Sequence, residues 1–210
     1  MKVVIIGAGP AGSTTAETIL KLNPNNQVTI VEKKNVVGEN PRCAGGVNAL
    51  RFSELRLEVP EDVIAAKVTR CRIYSPNNDY WELDAETLGI DRLGSVFHRD
   101  KFDVYLAERA RKLGAEIRTG LRAKDIKGDP PEGLRGLVST SDGEMIPFDV
   151  LVIAWGSAPF RTPEFHHAVQ AIANMDYPQD LISLYFGQKI APSGYAWIFP
   201  NGNKTVKIGL

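Results

Sequence analysis

The first 32 residues constrain the fold of this chain more than any other stretch. Residues 2–6 are a short β-branched apolar run, which predicts a buried parallel strand. The run leads directly into a G-x-G-x-x-G turn at residues 7–12, and a helical pattern follows the turn. Residues 27–31 are a second apolar run, which ends at Glu32. This order of strand, glycine turn, helix, strand and acid predicts a βαβ crossover at the amino terminus.

Each glycine of the turn, and the acid that follows the second strand, has a physical task. Gly7 permits the tight bend, Gly9 lets the backbone approach a pyrophosphate, and Gly12 lets helix and strand pack closely. The free N–H groups and the positive end of the helix dipole face the diphosphate. Glu32 lies 20 residues beyond Gly12 and can accept hydrogen bonds from a ribose. The sequence therefore predicts an adenine dinucleotide, and these residues leave FAD and NAD both open.

The charge balance and the cysteine count argue against several classes of protein. Among 210 residues, 25 Lys and Arg balance 25 Asp and Glu, which argues against nucleic-acid binding through a basic face. Cys43 and Cys71 form no C-x-x-C pair, so we expect no disulfide framework and a reducing, cytoplasmic setting. No apolar run approaches the roughly 20 residues that cross a bilayer, so we expect any membrane contact to be peripheral.

The residue pattern offers no support for metal or serine-hydrolase chemistry. His166 and His167 are adjacent in sequence, and adjacent residues on a helix point to different sides. No cysteine or acidic residue lies at metal-ligand spacing from them, and the sequence contains no G-x-S-x-G elbow. The sequence therefore predicts no metal site.

A glycine-rich segment follows the second strand. Residues 33–47 contain Gly38, Pro41, Gly45 and Gly46, a composition typical of a loop. This density of glycine indicates backbone that lies close against another group, but a plain surface connection explains the composition equally well. The sequence leaves these two interpretations open.

The next elements have a different pattern from the opening strands. Residues 48–57 predict a short helix. Residues 67–74 and 80–83 alternate as two antiparallel strands, with the turn-forming residues 75–79 between them. Because this alternation differs from that of a buried parallel strand, we place the hairpin in a second layer or subdomain.

A second long helix is predicted over residues 101–113. Its apolar residues share one face at helical spacing and should pack in the core: Phe102, Leu106, Ala110 and Leu113. Asp100 is the predicted N-cap and Gly114 the predicted C′ residue. A short strand over residues 115–118 follows.

The remainder of the chain reads mainly as strands. Residues 123–147 predict two or three antiparallel strands with turns at residues 129–131 and 141–143. Residues 149–154 are fully apolar again and predict another parallel strand, so the chain as a whole is predicted to be α/β with an antiparallel insertion. Residues 191–210 are aromatic and then strand-like. An apolar strand at the very end predicts that further sequence normally follows.

Four motifs give the chain a family resemblance. They are the glycine turn with Glu32, the RCAGGV segment at residues 42–47, the R-D-x-F-D-x-x-L pattern at residues 99–106, and the P-x-x-Y-x-W-x-F-P pattern at residues 192–200. On these motifs the chain resembles the geranylgeranyl reductase family of FAD-dependent oxidoreductases, which is similar to FixC-like and electron-transfer-flavoprotein:quinone oxidoreductases. The last motif matches at every fixed position and is the most specific. The resemblance covers the whole chain and about the first half of a usual family member.

The resemblance implies a fold and a division into domains. It implies a Rossmann-like FAD-binding domain of the glutathione-reductase and p-hydroxybenzoate-hydroxylase type, with an interleaved antiparallel β substrate subdomain. We expect the FAD-binding domain in residues 1–62 and 92–160, and part of the substrate domain in residues 63–91 and 161–210. The family's Gly-Asp segment, which closes over the flavin, would follow Leu210.

The resemblance also implies the site residues. Those that would contact FAD are Gly7, Gly9, Pro10, Ala11, Gly12, Glu32, Lys33, Arg42, Cys43, Ala44, Gly46, Arg99, Ala123 and Gly156. Those that would line the prenyl cavity are Tyr195, Trp197, Phe199 and Pro200. The catalytic candidates are Cys43, Tyr195 and Trp197. Wide aromatic faces suit an isoprenoid chain because they provide rigid apolar walls.

The implied reaction is the reduction of C=C double bonds in a geranylgeranyl or other polyprenyl lipid. FAD would carry the redox chemistry, and ferredoxin or NAD(P)H would supply the electrons. Alternatives of the same class are a quinone-directed electron-transfer-flavoprotein oxidoreductase and an FAD monooxygenase-like enzyme. An alternative of another class is a truncated, non-catalytic domain that binds a nucleotide or a protein partner. Flavin colour in the purified protein and the mass of the product distinguish these hypotheses.

Overall fold

The computed structural model describes residues 1–55, 57–127, 135–156 and 167–210, which fold as two units. Unit 1 comprises Met1–Pro41 and Asp100–Thr162, and unit 2 comprises Arg42–Arg99 and Pro163–Leu210. The chain therefore passes from unit 1 to unit 2 and back again before it ends in unit 2. The boundaries of an FAD-binding and a substrate-binding domain stay a prediction.

Strands make up most of the elements in the described chain, and its α-helices all lie before residue 113. The α-helices are α1 (Pro10–Leu22), α2 (Ala49–Glu54) and α3 (Arg99–Lys112). The strands are β1 (Lys2–Ile6), β2 (Gln27–Val31), β3 (Gly46–Asn48), β4 (Ile64–Val68), β5 (Arg70–Tyr74), β6 (Tyr80–Asp84), β7 (Gly94–Phe97), β8 (Glu116–Arg118), β9 (Ala123–Lys127), β10 (Gly136–Thr140), β11 (Met145–Phe148), β12 (Val150–Ile153), β13 (Gln170–Asn174), β14 (Leu181–Phe186), β15 (Tyr195–Pro200) and β16 (Thr205–Gly209).

A four-stranded parallel sheet in the order β12-β1-β2-β8 forms the centre of unit 1. Within β1, residues 3–6 are all apolar because this part of the strand is buried on both faces of the sheet. Val3 and Ile5 join a core cluster with residues of α1 and α3: Ala16, Leu20, Ala107 and Ala110. Ile5 has no exposed surface, and a side chain buried to this extent stabilises the fold by roughly 1.5–3 kcal/mol.

The opposite face of β1 belongs to a second core cluster. There Val4 and Val31 pack with Val138, Ile146 and Phe148 of an antiparallel sheet in the order β11-β10-β9. Layers on both faces of a parallel sheet define an α/β architecture, which confirms the predicted fold class. The predicted turn at residues 141–143 is also confirmed, whereas the one at residues 129–131 lies outside the described residues.

Two sheets make up unit 2. The larger has six strands in the order β13-β16-β15-β14-β5-β6, and β14 pairs with β5 in parallel while the other neighbours are antiparallel. The smaller is antiparallel, in the order β3-β7-β4. Ala66, Val68 and Val96 of the smaller sheet pack with Ile182 and Phe199 of the larger one, so these two sheets share a core.

The strand predicted over residues 67–74 is wrong as a single element. The chain leaves β4 at Val68 and enters β5 at Arg70, and the two strands lie in different sheets. The N–H groups of Thr69 and Arg70 both donate to the carbonyl oxygen of Asp180 at 3.0 Å, which fixes the break. The hairpin itself is confirmed, because β5 pairs with β6 across the turn at residues 75–79.

Two predictions at the ends of the second long helix are also wrong. α3 begins at Arg99, so Asp100 lies inside the first turn, where its charge favours the helix dipole, and is not the N-cap. Leu113 lies beyond the last helical residue and is 41% exposed. Gly114 does follow the helix with a φ of +106°, as predicted for a C′ residue.

Candidate functional site

The turn after β1 requires glycine at its first position. Gly7 has a φ of +106°, and its N–H donates to the carbonyl oxygen of Val31 at 2.8 Å. A Cβ atom built at this position would lie 2.5 Å from the carbonyl oxygen of Ala154, the residue that directly follows β12. Gly7 therefore lets the chain leave β1 in a tight turn that fits between the ends of its two neighbours, β2 and β12.

The other two glycines of the turn have opposite surroundings. A Cβ atom at Gly12 would lie 1.9 Å from the carbonyl oxygen of Gly7, so α1 packs against the turn with no room for a side chain. A Cβ atom at Gly9 would meet no atom within 4 Å. Nothing in the described fold requires a glycine at position 9, so its small size leaves open space on the outer side of the turn for a ligand.

The start of α1 provides hydrogen-bond donors at this open side. Gly9 is the N-cap of α1. Among the described residues, no side chain caps this end of the helix with a hydrogen bond. Pro10 has no N–H, while the N–H groups of Ala11 and Gly12 precede the first helical hydrogen bond, from Ser13 to the carbonyl oxygen of Gly9 at 3.0 Å. Free donors together with the positive end of the dipole favour a bound phosphate.

Glu32 lies at the end of β2 beside the turn. Its carboxylate is buried, with 9% of the residue exposed. One carboxylate oxygen accepts the N–H of Ala8 at 2.8 Å and the other accepts the N–H of Lys34 at 2.9 Å. These bonds hold the carboxylate rigidly next to the second residue of the turn. Each oxygen retains a second lone pair, which a ribose hydroxyl can use.

The residues of this turn fit a bound adenine dinucleotide. Space at Gly9, donors at the start of α1 and an anchored acceptor at Glu32 lie together within unit 1, as a diphosphate and a ribose require. The neighbouring loop also packs closely, since a Cβ atom at Gly38 would lie 2.4 Å from the carbonyl oxygen of Asp100. Lys33 is exposed beside Glu32, and Ala123 is half-buried at the start of β9.

The glycine-rich segment enters unit 2 at Arg42, where its glycines also touch other backbone. Gly45 is buried with a φ of +89°, and its carbonyl oxygen accepts the N–H of Phe97 at 2.9 Å. From Gly46 the segment forms β3, which was expected to be loop, paired with β7. The close-approach interpretation of residues 33–47 is therefore the correct one.

Cys43 is exposed in this segment, and the Gly45 N–H donates to its sulfur at 3.4 Å. The other cysteine, Cys71, is half-buried in β5, and burial raises the pKa of its thiol. A thiol with a raised pKa is less reactive at neutral pH. Of the two sulfurs, Cys43 is the one open to chemistry.

Strand β15 carries the aromatic motif on one face of the six-stranded sheet. Tyr195, Trp197 and Phe199 alternate with residues of the other face, and the Tyr195 and Trp197 rings are 6.0 Å apart. The Trp197 ring covers Gly209 of β16, where a Cβ atom would lie 2.3 Å from its Cζ2 atom. Pro200 points to the opposite face and is fully buried, so the structure does not bring it to the aromatic face.

The structure brings two of the predicted motifs together inside unit 2. A Cβ atom at Gly46 would lie 2.6 Å from Cε2 of Phe199, so the RCAGGV segment rests against the aromatic motif. Ala44 of the same segment accepts a hydrogen bond from Lys207, which the sequence reasoning missed. The available signal was a lysine between Val206 and Ile208 in an otherwise apolar strand.

Other predicted site residues occupy less defined positions. Arg99 is half-buried as the first residue of α3, Arg42 is exposed, and Gly156 is exposed with a φ of +74°. Their contacts with a cofactor stay a prediction. Within the described ranges, no three His, Cys, Asp or Glu side chains come together as a metal site. No described helix has the length and apolar character that a bilayer crossing requires.

Comparison with known families identifies the class. The family model described as FAD-NAD(P)-binding matches residues 4–158, and the one described as geranylgeranyl reductase catalytic domain matches residues 165–210. The chain belongs to the FAD-NAD(P)-binding family, which confirms the prediction of FAD as cofactor and of a Rossmann-like FAD-binding fold. Its resemblance to the geranylgeranyl reductases is confirmed as well.

Individual relatives agree with this identification. The chain is 33% identical to a digeranylgeranylglycerophospholipid reductase of Methanosarcina acetivorans and 31% identical to digeranylgeranylglycerophospholipid reductase 1 of Methanosphaera stadtmanae, over 99% of its own length. It spans 53% and 54% of those relatives. A geranylgeranyl bacteriochlorophyll reductase-like structure from Thermoplasma acidophilum has a TM-score of 0.83 and 26% identity, over 100% of this chain and 55% of that one.

Proposed function

We propose that this protein is an FAD-dependent oxidoreductase that reduces C=C double bonds of a geranylgeranyl or related polyprenyl lipid. One observation carries the proposal: the segment that matches the geranylgeranyl reductase catalytic domain contains β15, with its three aromatic residues on one sheet face. The relatives named as digeranylgeranylglycerophospholipid reductases support it.

The proposed nucleotide-binding residues lie in unit 1. The N–H groups of Ala11 and Gly12 would bind the diphosphate, and Glu32 would accept hydrogen bonds from the ribose hydroxyls. Gly9 would let the diphosphate approach the backbone. FAD, when bound and reduced, supplies the hydride that such a reduction consumes.

The proposed lipid-binding residues lie in unit 2. Tyr195 and Trp197 would form a rigid apolar wall for an isoprenoid chain, since an aromatic ring gives a large contact area with few rotatable bonds. Tyr195 is 46% exposed and its neighbour Phe186 is 40% exposed, so this part of the face is open to a ligand. The rings of these two residues are 5.5 Å apart. Together with Cys43, Tyr195 and Trp197 are the proposed catalytic residues.

The electron donor and the site of action complete the proposal. Ferredoxin or NAD(P)H would provide the electrons. The lipid substrate implies that the protein meets a membrane surface through peripheral contact, because a polyprenyl lipid partitions into the bilayer.

Product analysis tests the proposal. The chain would be loaded with FAD, reduced with dithionite under anaerobic conditions and incubated with a geranylgeranyl lipid. Mass spectrometry would then measure the masses of the products. We expect pairs of added hydrogen atoms, and a Trp197→Ala variant should slow their formation about tenfold or more by weakening the apolar wall. A control variant, Trp81→Ala, removes a tryptophan of β6 that lies outside the aromatic motif.

Other outcomes would contradict the reductase proposal and point elsewhere. Oxygen in the product of an aerobic reaction would indicate a monooxygenase. Reoxidation of the flavin by a quinone with the lipid unchanged would indicate a quinone oxidoreductase. A colourless protein that does not take up FAD would indicate a non-catalytic binding domain.

A further inference from the structure

Lys207 is a charged residue in the core of unit 2. It lies in the middle of β16 between Val206 and Ile208, and only 6% of its surface is exposed. A buried ammonium group is strongly destabilising unless hydrogen bonds replace its water shell. The hydrogen bonds of the Lys207 ammonium group therefore indicate its role in the structure.

The ammonium group joins two segments that are far from it in sequence. Its Nζ atom donates to the carbonyl oxygen of Ala44 at 3.0 Å and to that of Phe97 at 3.2 Å. Ala44 belongs to the RCAGGV segment at residues 42–47, and Phe97 is the last residue of β7. Hydrogen bonds from a charged donor in a buried setting are strong, so Lys207 restrains both carbonyl groups.

A second contact links the same segment to the neighbouring strand. Lys207 pairs across β15 and β16 with Phe199, whose ring rests against Gly46. Lys207 binds the carbonyl oxygen of Phe97, and the N–H of the same residue donates to the carbonyl oxygen of Gly45. Three successive residues, 44 to 46, are thus held by a connected set of contacts that centres on Lys207.

We propose that Lys207 is a positioning residue that fixes the segment at residues 42–47, and with it Cys43, against the aromatic strand β15. The inference rests on the proposed function, in which this segment and β15 serve one reaction. The lysine acts through the backbone carbonyl groups of Ala44 and Phe97 and has no part in the chemistry itself.

Hydrogen exchange and thiol alkylation on a Lys207→Met variant test this inference. Methionine matches the four-atom apolar stem of lysine but lacks the ammonium group that donates the hydrogen bonds. We expect the amides of Gly45 and Phe97 to exchange at least about tenfold faster, and Cys43 to react faster with iodoacetamide, while amides of β13 and β14 and the rate at Cys71 stay unchanged. Lys204→Met, the same change at an exposed position of the same hairpin, should alter none of these rates.

The outcomes separate a local role from a general one. Unchanged exchange at Gly45 and Phe97, or faster exchange spread evenly over all strands of the six-stranded sheet, would overturn the inference. If Lys207→Met does not fold, exchange on the unaltered chain decides. The Phe97 amide should then be as protected as the amides of β16, and protection no higher than that of the exposed residue Asn203 would overturn the inference.

These readouts need neither bound FAD nor turnover. Failure of the reductase proposal therefore leaves the test of Lys207 intact. Conversely, a Lys207→Met variant with an unchanged segment would remove the positioning role and leave the reductase proposal standing.

Discussion

At the scale of single residues, Gly9 and Gly12 are expected to respond in opposite ways to the same substitution. Gly12→Ala places a Cβ atom 1.9 Å from a backbone oxygen, so the turn must shift, and we expect a loss of about 3 kcal/mol or more in unfolding free energy. Gly9→Ala meets nothing within 4 Å at a φ of −71°, so it should cost no more than about 1 kcal/mol, the loss of a favourable N-cap.

Urea unfolding of the two variants beside the unaltered chain measures this difference. Equal losses of unfolding free energy in the two variants would show that the open side of the turn is not as described.

Residue identity alone predicted the glycine turn and the position of Glu32, because local spacing fixes both. It could not predict Lys207 or Asp180. Each of these acts on backbone more than 100 residues away, through hydrogen bonds to Ala44 and from Thr69 respectively. The sequence near either partner of such a long-range hydrogen bond contains no pattern that predicts the bond.

At the scale of elements, an ion pair joins the two long helices of unit 1. Glu17 of α1 is buried, and the Arg109 guanidinium of α3 binds its carboxylate through Nε at 3.0 Å and Nη2 at 2.6 Å. This hydrogen bonding lowers the pKa of Glu17 below its ordinary value of 4.5. A lowered pKa in the folded state means that the ionised form stabilises folding above the unfolded-state pKa. The contribution is lost as the pH falls through the folded-state value.

Unfolding measurements between pH 7 and pH 3 test this linkage. We expect Glu17→Gln to be less stable than the unaltered chain by about 1–3 kcal/mol near neutral pH, and the difference should shrink as the pH falls well below 4.5. The control Glu108→Gln removes an exposed carboxylate that pairs with Arg111 on the same helix, and should have little effect. A Glu17→Gln deficit that stays constant down to pH 3 would contradict the account.

The pair formed by Gly209 and Trp197 gives a second prediction for elements. An added methyl group in Gly209→Ala would lie 2.3 Å from the indole ring, so the ring must leave its place over β16. With Trp81 and Trp155 replaced by Phe, the remaining tryptophan fluorescence should shift to longer wavelength and be quenched more by acrylamide. Gly194→Ala, which meets nothing within 4 Å, serves as the control. An unshifted spectrum in Gly209→Ala would show that the ring does not cover Gly209.

Most elements were predictable because their patterns are local. The apolar runs of β1 and β2 coincide with the predicted strands, and the hairpin of β5 and β6 was recognised from its turn. The predicted Asp100 cap is wrong because α3 starts at Arg99, three residues before Phe102, the first residue of its apolar face. Helix ends depend on a few local contacts, so the sequence predicts their positions less closely than it predicts the helix itself.

At the scale of the whole molecule, the chain builds two units from alternating segments. The sequence indicated this arrangement through the change from buried parallel strands to alternating antiparallel ones. The limits of each unit depend on which distant strands pair, and a local pattern does not encode that pairing. The parallel pairing of β14 with β5 joins residues that are more than 100 positions apart in sequence. No short turn connects the two strands, so no local sequence pattern predicts their pairing.

The central claim is that the amino-terminal crossover binds an adenine dinucleotide through the open side of Gly9. Calorimetric titration of FAD into the unaltered chain and into Gly9→Ala tests it most directly. We predict saturable binding with one site, and at least about tenfold weaker binding in a Gly9→Ala variant that remains folded, which corresponds to about 1.4 kcal/mol. No binding by the unaltered chain, or equal affinity in both proteins, would contradict the claim.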